Sequence, residues 1–393
     1  MSWSKPFMFQ HVTKVVSGPG SSRQAAAELA GLGASRVMVV TDRGVAGAGL
    51  LAGLLAGLEA AGLPHEVFDG IEPNPAATTV DRATAAARAG GVDAVVAVGG
   101  GSSIDGGKMV ALLARHGGTT ADYAGVGPDK VPGPTLPLVA VPTTVGTGSE
   151  VTRGAVITDT AKNTKMVVIS PHILPRVAVL DPELLIRLPA HITAATGMDS
   201  LTQAIEAYVS RGANPVTDAL NLAALRAIAR HLRLAVARNE PEAMAAMQVA
   251  TTMQGIGFHN AGLGLVHAMS NTVGGAFGTP HGVTNAIILP HVMAFNVAAD
   301  PERFAVVAEA MGEPVDGLSA RAAADRGVAA VRQLSRDIGI PATLGEIGVD
   351  PAAIPELAQA AALANDAPTN PRGFTVQDIV RLFQLSFGME PGA

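Results

Sequence analysis

From residue 22 to residue 144, continuous apolar runs of strand length alternate with Ala-, Leu- and Gly-rich stretches of helix length. The runs are SRVMVVTD (35–42), DAVVAVGGG (93–101) and LPLVAVPTT (136–144), and the more polar PHEVFDGI (64–71) is a strand-length stretch between the first two. The helix-like stretches are SRQAAAELAGLG (22–33), GAGLLAGLLAGLEAAG (47–62), TTVDRATAAARAGG (78–91) and SSIDGGKMVALLARHGG (102–118). An apolar run without polar alternation predicts a strand buried on both faces. Regular strand–helix alternation predicts a parallel sheet covered by helices on both sides. A shorter β-branched run, VTKVV (12–16), precedes them and is closed by a Gly-Pro-Gly turn.

The pattern changes near residue 185. Beyond PELLIRLP (182–189) the periodicity is mainly helical, with no internal repeat and no low-complexity linker. The expectation is two domains: an α/β nucleotide-binding domain over 1–185 and an all-helical domain over 186–393 that binds metal and substrate. A cleft between such units is a natural place for an active site.

Composition narrows the function. The chain has 393 residues, 48% hydrophobic and 15% charged, which fits a well-buried globular protein and argues against disorder. A net charge of −6, no basic tract, and only 10 Phe, 2 Tyr and 1 Trp leave nucleic-acid binding without an electrostatic footprint or a stacking platform. With no cysteine, a metal site must use His, carboxylate or amide groups. The N-terminus lacks the apolar core of a signal peptide, and the apolar runs are broken well short of a membrane span. The expected setting is the cytoplasm.

Three stretches carry nucleotide-binding chemistry. In VAVGGGSSIDGGK (96–108) a strand ends in Gly99, Gly100 and Gly101 and a helix begins at Ser102. The glycines allow close backbone approach, and the helix N-terminus offers free N–H groups to a phosphate. Ile104 replaces the third glycine of the dinucleotide fingerprint, so a plain strand-to-helix turn is the alternative. Asp42 ends the first strong strand, where an acid accepts hydrogen bonds from a ribose diol and repels a 2′-phosphate. In VPTTVGTGSEVT (141–152), Thr143, Thr144, Thr147 and Ser149 interleave with Gly146 and Gly148, presenting hydroxyls to pyrophosphate or ribose.

The metal candidates lie in the second half. In TGMDSLTQAIEAY (196–208), Thr196, Gly197 and Asp199 carry helix-start chemistry, and Asp199, Gln203 and Glu206 fall on one helical face. An ordinary capping role for Asp199 is the bland reading. His267 is expected on a helix with Asn271 one turn on, and His281 follows Pro280 at the head of an apolar segment. Each histidine alone is more often structural than a ligand. Converging with Asp199, the two would form an N/O site for a divalent cation.

Taken together, GGGSSID, PTTVGTGSEVT, AVLDPEL, ATGMDSLTQAIEAY and GLGLVHAM followed by TPHGVTNAIILPHV resemble the iron-containing (group III) alcohol dehydrogenase family over nearly the whole chain. The resemblance implies the dehydroquinate-synthase-like architecture: an N-terminal α/β nucleotide-binding domain, an all-helical C-terminal domain, and an active site between them. It implies NAD on Asp42, Asn74, Gly99, Gly100, Gly101, Ser102, Thr143, Thr144, Thr147 and Lys165. It implies a divalent metal, iron or alternatively zinc, on Asp199, His267 and His281. The family's fourth ligand is usually a histidine, where this chain has Gln203, which can ligate through its carbonyl oxygen. Many members carry a histidine where this chain has Asn271, beside the substrate, and some carry Asn at the position of Gly154.

The activity so implied is hydride transfer between NAD(H) and a small primary alcohol or its aldehyde, with Asp199, His267, His281 and Asn271 around the reacting group. The alternatives are an NAD- and metal-using lyase or synthase on the same scaffold, and a non-catalytic NAD-binding relative. The partners expected are a small-molecule substrate and further copies of the chain, in a dimer or larger homo-oligomer, with no nucleic acid and no membrane.

Overall fold

The computed structural model describes residues 6–126, 130–161 and 164–389. Its strands, in chain order, are β1 (Lys14–Ser17), β2 (Val37–Val40), β3 (His65–Phe68), β4 (Ala94–Gly99), β5 (Gly125–Val126), β6 (Leu138–Pro142), β7 (Gly154–Asp159), β8 (Thr164–Ile169) and β9 (Val177–Leu180). The helices among them are α1 (Ala25–Gly31), α2 (Arg43–Gly47), α3 (Ala52–Ala60), α4 (Ala77–Ala89) and α5 (Gly101–His116). A six-stranded sheet runs β1-β9-β6-β4-β2-β3, and every pairing in it is parallel.

The side-chain register of β2 shows why its sequence has no polar alternation. Val37 and Val39 pack with Leu29 of α1 and with Leu54 and Leu58 of α3. Met38 and Val40 pack on the other face with Val80 and Ala83 of α4 and Met109 and Leu113 of α5. Both faces are therefore core, and each fully buried Val or Leu contributes roughly 1.5–3 kcal/mol relative to exposure.

Two local expectations need correction. The helix expected over 47–62 is shorter, forming only as α3 (Ala52–Ala60): the short α2 ends at Gly47, and Gly49 adopts φ +72° between the two. A second sheet, unforeseen in the sequence, pairs β7 with β8 antiparallel and β5 with β8 parallel. It supplies Lys165.

The chain divides between Leu188 and Pro189 into two compact units, and the described residues 6–10 group with the second. Gln10 donates its backbone N–H to Asn260 Oδ1 and accepts Asn260 Nδ2 in return. The second unit contains α6 (Ala190–Val209), α7 (Pro215–Arg238), α8 (Pro241–Ala261), α9 (Leu265–Phe277), α10 (His281–Asn296), α11 (Pro301–Ala310), α12 (Ala320–Asp337), α13 (Ile354–Ala362) and α14 (Val376–Ser386). Helix α6 packs against α7, α8 and α10.

The helix start expected at Thr196–Asp199 is misplaced: α6 begins at Ala190 with Pro189 as its N-cap. The Thr196 hydroxyl donates back to the Ile192 carbonyl, as a mid-helix threonine does. Gly197 is there for packing, since a Cβ on it would lie 2.2 Å from Leu232 Cδ1 of α7. Asp199 is thus a buried mid-helix carboxylate and not a cap.

Candidate active site

In the parallel sheet β2 is flanked by β3 on one side and β4 on the other, so the strand order reverses between β2 and β4. Ligands of open α/β sheets bind outside the carboxyl ends of the strands at such a switch point. Asp42 and Gly99 stand at those two carboxyl ends. Asp42 caps α2 by accepting Val45 N–H at 3.0 Å, and its other oxygen accepts the Ser103 hydroxyl at 3.0 Å. The carboxylate is therefore held across the switch point.

Gly99 and Gly101 are required by their neighbours, and Gly100 sits close to one. Gly99 has φ +149°, and a Cβ there would lie 2.4 Å from Ser103 Oγ and 3.1 Å from Asp42 Oδ2. A Cβ on Gly101 would lie 2.7 Å from Thr147 Cγ2, and one on Gly100 would lie 3.3 Å from Thr144 Cγ2. The threonine loop and the glycine turn thus touch directly, and Thr143 N–H donates to Gly99 O at 2.9 Å. Gly100 is the N-cap of α5 and supplies no side chain to its N–H groups, which leaves them for an anion.

Asn74 closes a further cluster. It takes a left-handed backbone (φ 55°), and its N–H donates to Ser102 Oγ at 3.2 Å. Lys165 Nζ donates to Asn74 Oδ1 at 2.7 Å and to Thr158 Oγ1 at 3.0 Å. Burial lowers the Lys165 pKa. Asp42, Asn74, Gly99–Gly101, Ser102, Thr143, Thr144, Thr147 and Lys165 are therefore linked, directly or through one neighbour, around the start of α5.

Lys108, not among the sequence candidates, ties this loop to the helix. It is fully buried, and its ammonium donates to Ser149 Oγ (2.7 Å), Thr152 Oγ1 (3.2 Å) and Gly154 O (2.6 Å), with Asp105 Oδ1 at 3.4 Å. Burial lowers its pKa, and the carboxylates of Asp105 and Glu150 oppose that. The carbonyl of Gly154 is thus engaged even though a side chain at this position would meet open space.

In the helical unit, α6, α9 and α10 each supply one member of a tight cluster. One donor atom from each of Asp199, His267 and His281 lies within 4.8 Å of the others. His267 Nε2 is 3.5 Å and His281 Nε2 is 3.7 Å from Asp199 Oδ1. Gly282, next to His281, sets the approach of α10 to α6: a Cβ there would lie 2.0 Å from the Ala195 carbonyl oxygen.

Glu206 orients His267. Its Oε2 is 2.5 Å from His267 Nδ1, and its Oε1 accepts Val266 N–H at 2.7 Å in the first turn of α9. With Nδ1 committed, Nε2 is the atom offered inward, an arrangement shared by metal-ligating histidines. Burial opposes a charge on His267, but Asp199 and Glu206 override it and raise its pKa to about 10. Burial likewise pushes Asp199 up, and the two histidines with Asn285 reverse that and lower it.

The donor set suits a divalent cation: a carboxylate, two imidazoles and an amide oxygen. Gln203 Nε2 donates to Asp199 Oδ2 at 3.1 Å, which fixes the amide, while its buried Oε1 has no partner among the described residues. A buried, unpartnered acceptor on the same helical face as Asp199 fits a further oxygen donor. Asn271 lies one turn after His267 and turns its amide to Asp366 Oδ2 at 3.2 Å. Burial raises the Asp366 pKa.

Sequence reasoning named Glu206 only as a polar position on the Asp199 face, and it missed Asn285 and Asp366. Asn285 sits four residues after His281, a spacing that places both on one face of α10.

A parallel sheet with a strand-order switch point, where nucleotides bind in such folds, and an Asp/His/His cluster on helices that suits a divalent cation are features a metal-using, nucleotide-dependent oxidoreductase needs. Residues 12–182 match the model of the iron-containing alcohol dehydrogenases, and residues 193–387 match that of the C-terminal part of the same family. The chain is 45% identical to 1,3-propanediol dehydrogenase of Klebsiella pneumoniae over 359 residues, covering 91% of this chain and 92% of that one. It is 44% identical to NAD-dependent methanol dehydrogenase of Bacillus methanolicus over 370 residues, covering 94% and 97%. The crystal structure of a 1,3-propanediol oxidoreductase superposes with a TM-score of 0.95 at 43% identity, covering 98% of this chain and all of that one. This chain belongs to the iron-containing alcohol dehydrogenase family. It is an oxidoreductase acting between alcohol and aldehyde, and the family's cofactors are NAD and iron.

Proposed function

We propose that the chain interconverts an unhindered primary alcohol and its aldehyde, using NAD(H) in preference to NADP(H) and a divalent metal held by Asp199, Gln203, His267 and His281. The observation that carries this reading is the convergence of Asp199, His267 and His281, with Glu206 presenting His267 Nε2 inward. When bound, the metal supplies Lewis-acid polarisation of an oxygen, and the nicotinamide carries the hydride.

The chain's own groups do the rest. The N-terminus of α5 with Ser102, Thr144 and Thr147 receives the pyrophosphate, and Asp42 takes the ribose diol and excludes a 2′-phosphate. Asn74 and Lys165 hold one another beside that site. Asn271, at the position where many members of the family carry a histidine, contacts the Asp366 carboxyl.

A small substrate is favoured by the similarity to enzymes named for 1,3-propanediol and methanol. A lyase or synthase on this scaffold, and a non-catalytic relative, are not favoured by these names. We place the protein in the cytoplasm as a homo-oligomer. In keeping with this, no helix among the described residues is long and apolar enough to cross a membrane.

The test is NADH oxidation by metal-loaded protein over a panel of short primary aldehydes, with NADPH in parallel. Turnover with NADH that exceeds turnover with NADPH is expected. No turnover with any aldehyde or alcohol contradicts the reading.

A further inference from the structure

Asn285 lies where the three metal-site donors meet. It is fully buried on α10, one turn after His281. Its Nδ2 is 2.8 Å from Asp199 Oδ1, 3.1 Å from His281 Nε2 and 3.3 Å from His267 Nε2. Its Oδ1 is buried and has no partner among the described residues.

An amide NH₂ carries two hydrogens and a partial positive charge. Here its two hydrogens face the Asp199 carboxylate and the His281 imidazole, groups whose lone pairs a divalent cation takes, while His267 Nε2 lies alongside at 3.3 Å. Amide and cation therefore compete for the same atoms. We infer that Asn285 is a positioning residue of the metal centre: its NH₂ group holds Asp199 and His281 together beside His267 in the metal-free protein and is displaced from them by the metal. It thereby lowers the affinity of the centre for its metal while keeping a buried acidic cluster from opening. The unpartnered Oδ1 is the acceptor that the amide brings towards the centre when it turns. This inference rests on the proposed metal-binding role of Asp199, His267 and His281.

The competition has a sign that a packing role lacks. A residue that only fills space would lower the stability of metal-free and metal-loaded protein together and leave affinity unchanged or weaker. Loss of the competing donor instead destabilises the metal-free form selectively and tightens metal binding, by about tenfold for hydrogen bonds of ordinary strength.

The experiment titrates zinc(II) into wild type, Asn285→Ala and Asn285→Leu against a chromophoric chelator, with melting curves of each protein with and without zinc. Both variants are expected to bind zinc more tightly than wild type and to show a larger zinc-induced rise in Tm. A variant that folds only with zinc present is the extreme form of that result. Affinity equal to or weaker than wild type in both variants overturns the inference. If neither variant folds in either condition, the wild type decides through its Asn side-chain amide signals in ¹⁵N-labelled protein. One NH₂ pair protected from exchange without zinc, and shifted and less protected with it, is expected, and no change on adding zinc overturns the inference. Wild type that takes up no zinc instead overturns the metal-site reading itself.

Discussion

Glu206 grips both His267 and the start of the helix that carries it: one carboxylate oxygen meets His267 Nδ1 at 2.5 Å and the other accepts Val266 N–H at 2.7 Å. One side chain on α6 therefore sets the ring orientation of His267 and the position of the α9 N-terminus. A carboxylate at a helix N-terminus is also favoured by the helix dipole. The relationship makes α6 the reference for the centre, since Asp199 and Gln203 project from the same face.

Gln203 is the clearest departure from the family's usual ligands. Its NH₂ is held by Asp199 and its oxygen is unpartnered, which leaves that oxygen available as a neutral donor. Gln203→Ala is expected to weaken zinc(II) binding by about tenfold or more, the scale on which groups around a metal act. Gln203→His is expected to tighten zinc and iron more than magnesium, because imidazole is the softer donor. Equal affinities for all three proteins would show that Gln203 is a bystander.

Gly282 brings α10 against α6, and the atom that a Cβ would meet at 2.0 Å is a backbone carbonyl oxygen that has no rotamer to yield. Gly282→Ala is expected to cost about 1–3 kcal/mol in denaturant unfolding and to weaken metal binding, because His281 moves away from Asp199. Gly275→Ala in α9 is the control: nothing lies within 4 Å of its Cβ position, so a stabilisation of roughly 0.5–1 kcal/mol is expected. Equal effects of the two substitutions would remove the packing argument.

Asp42 should set the cofactor preference. Asp42→Ser keeps an N-cap for α2 while removing the charge. The ratio of kcat/KM with NADPH to that with NADH is expected to rise about tenfold or more, the equivalent of ~1.4 kcal/mol of relieved repulsion. An unchanged ratio, or a wild type that already prefers NADPH, would refute this role.

The parts of this molecule legible in its sequence are those whose physics is local. Val37–Val40 shows no polar alternation because both faces of β2 are core. Gly99–Gly101 announces a close approach, and Asp199, His267 and His281 are ligand types set in distinctive contexts. What was hidden depends on which turn of one helix meets which turn of another. Glu206 and Asn285 are unremarkable until α9 and α10 bring histidines to them. The start of α6 was misplaced because a threonine hydroxyl serves a cap and a mid-helix back-bond equally well, and Thr196 does the second. The β7–β8 hairpin was missed because its pairing partners are each other and the two-residue β5, outside the alternation that marks the main sheet.

His291 gives a pH dependence remote from the chemistry. Burial, and after it Arg332, hold its pKa down at about 4, against an ordinary value of 6.5. The unfolded chain therefore takes the proton more readily than the folded one. The stability from the neutral ring is complete above pH 6.5 and is lost as the pH falls from 6.5 towards 4. His291→Gln is expected to lose less Tm than wild type over that window. Parallel acid limbs for the two proteins would contradict the burial argument.

The central claim is that Asp199, His267 and His281 hold a metal on which alcohol–aldehyde interconversion depends. Its most direct test is NADH oxidation with a short primary aldehyde by wild type and Asp199→Ala, each stripped of metal, then reloaded with iron(II) or zinc(II), with metal content read by elemental analysis. The account predicts turnover only in metal-loaded wild type, and an Asp199→Ala protein that binds NADH but neither retains metal nor turns over. Full turnover by wild type shown to be metal-free would contradict it.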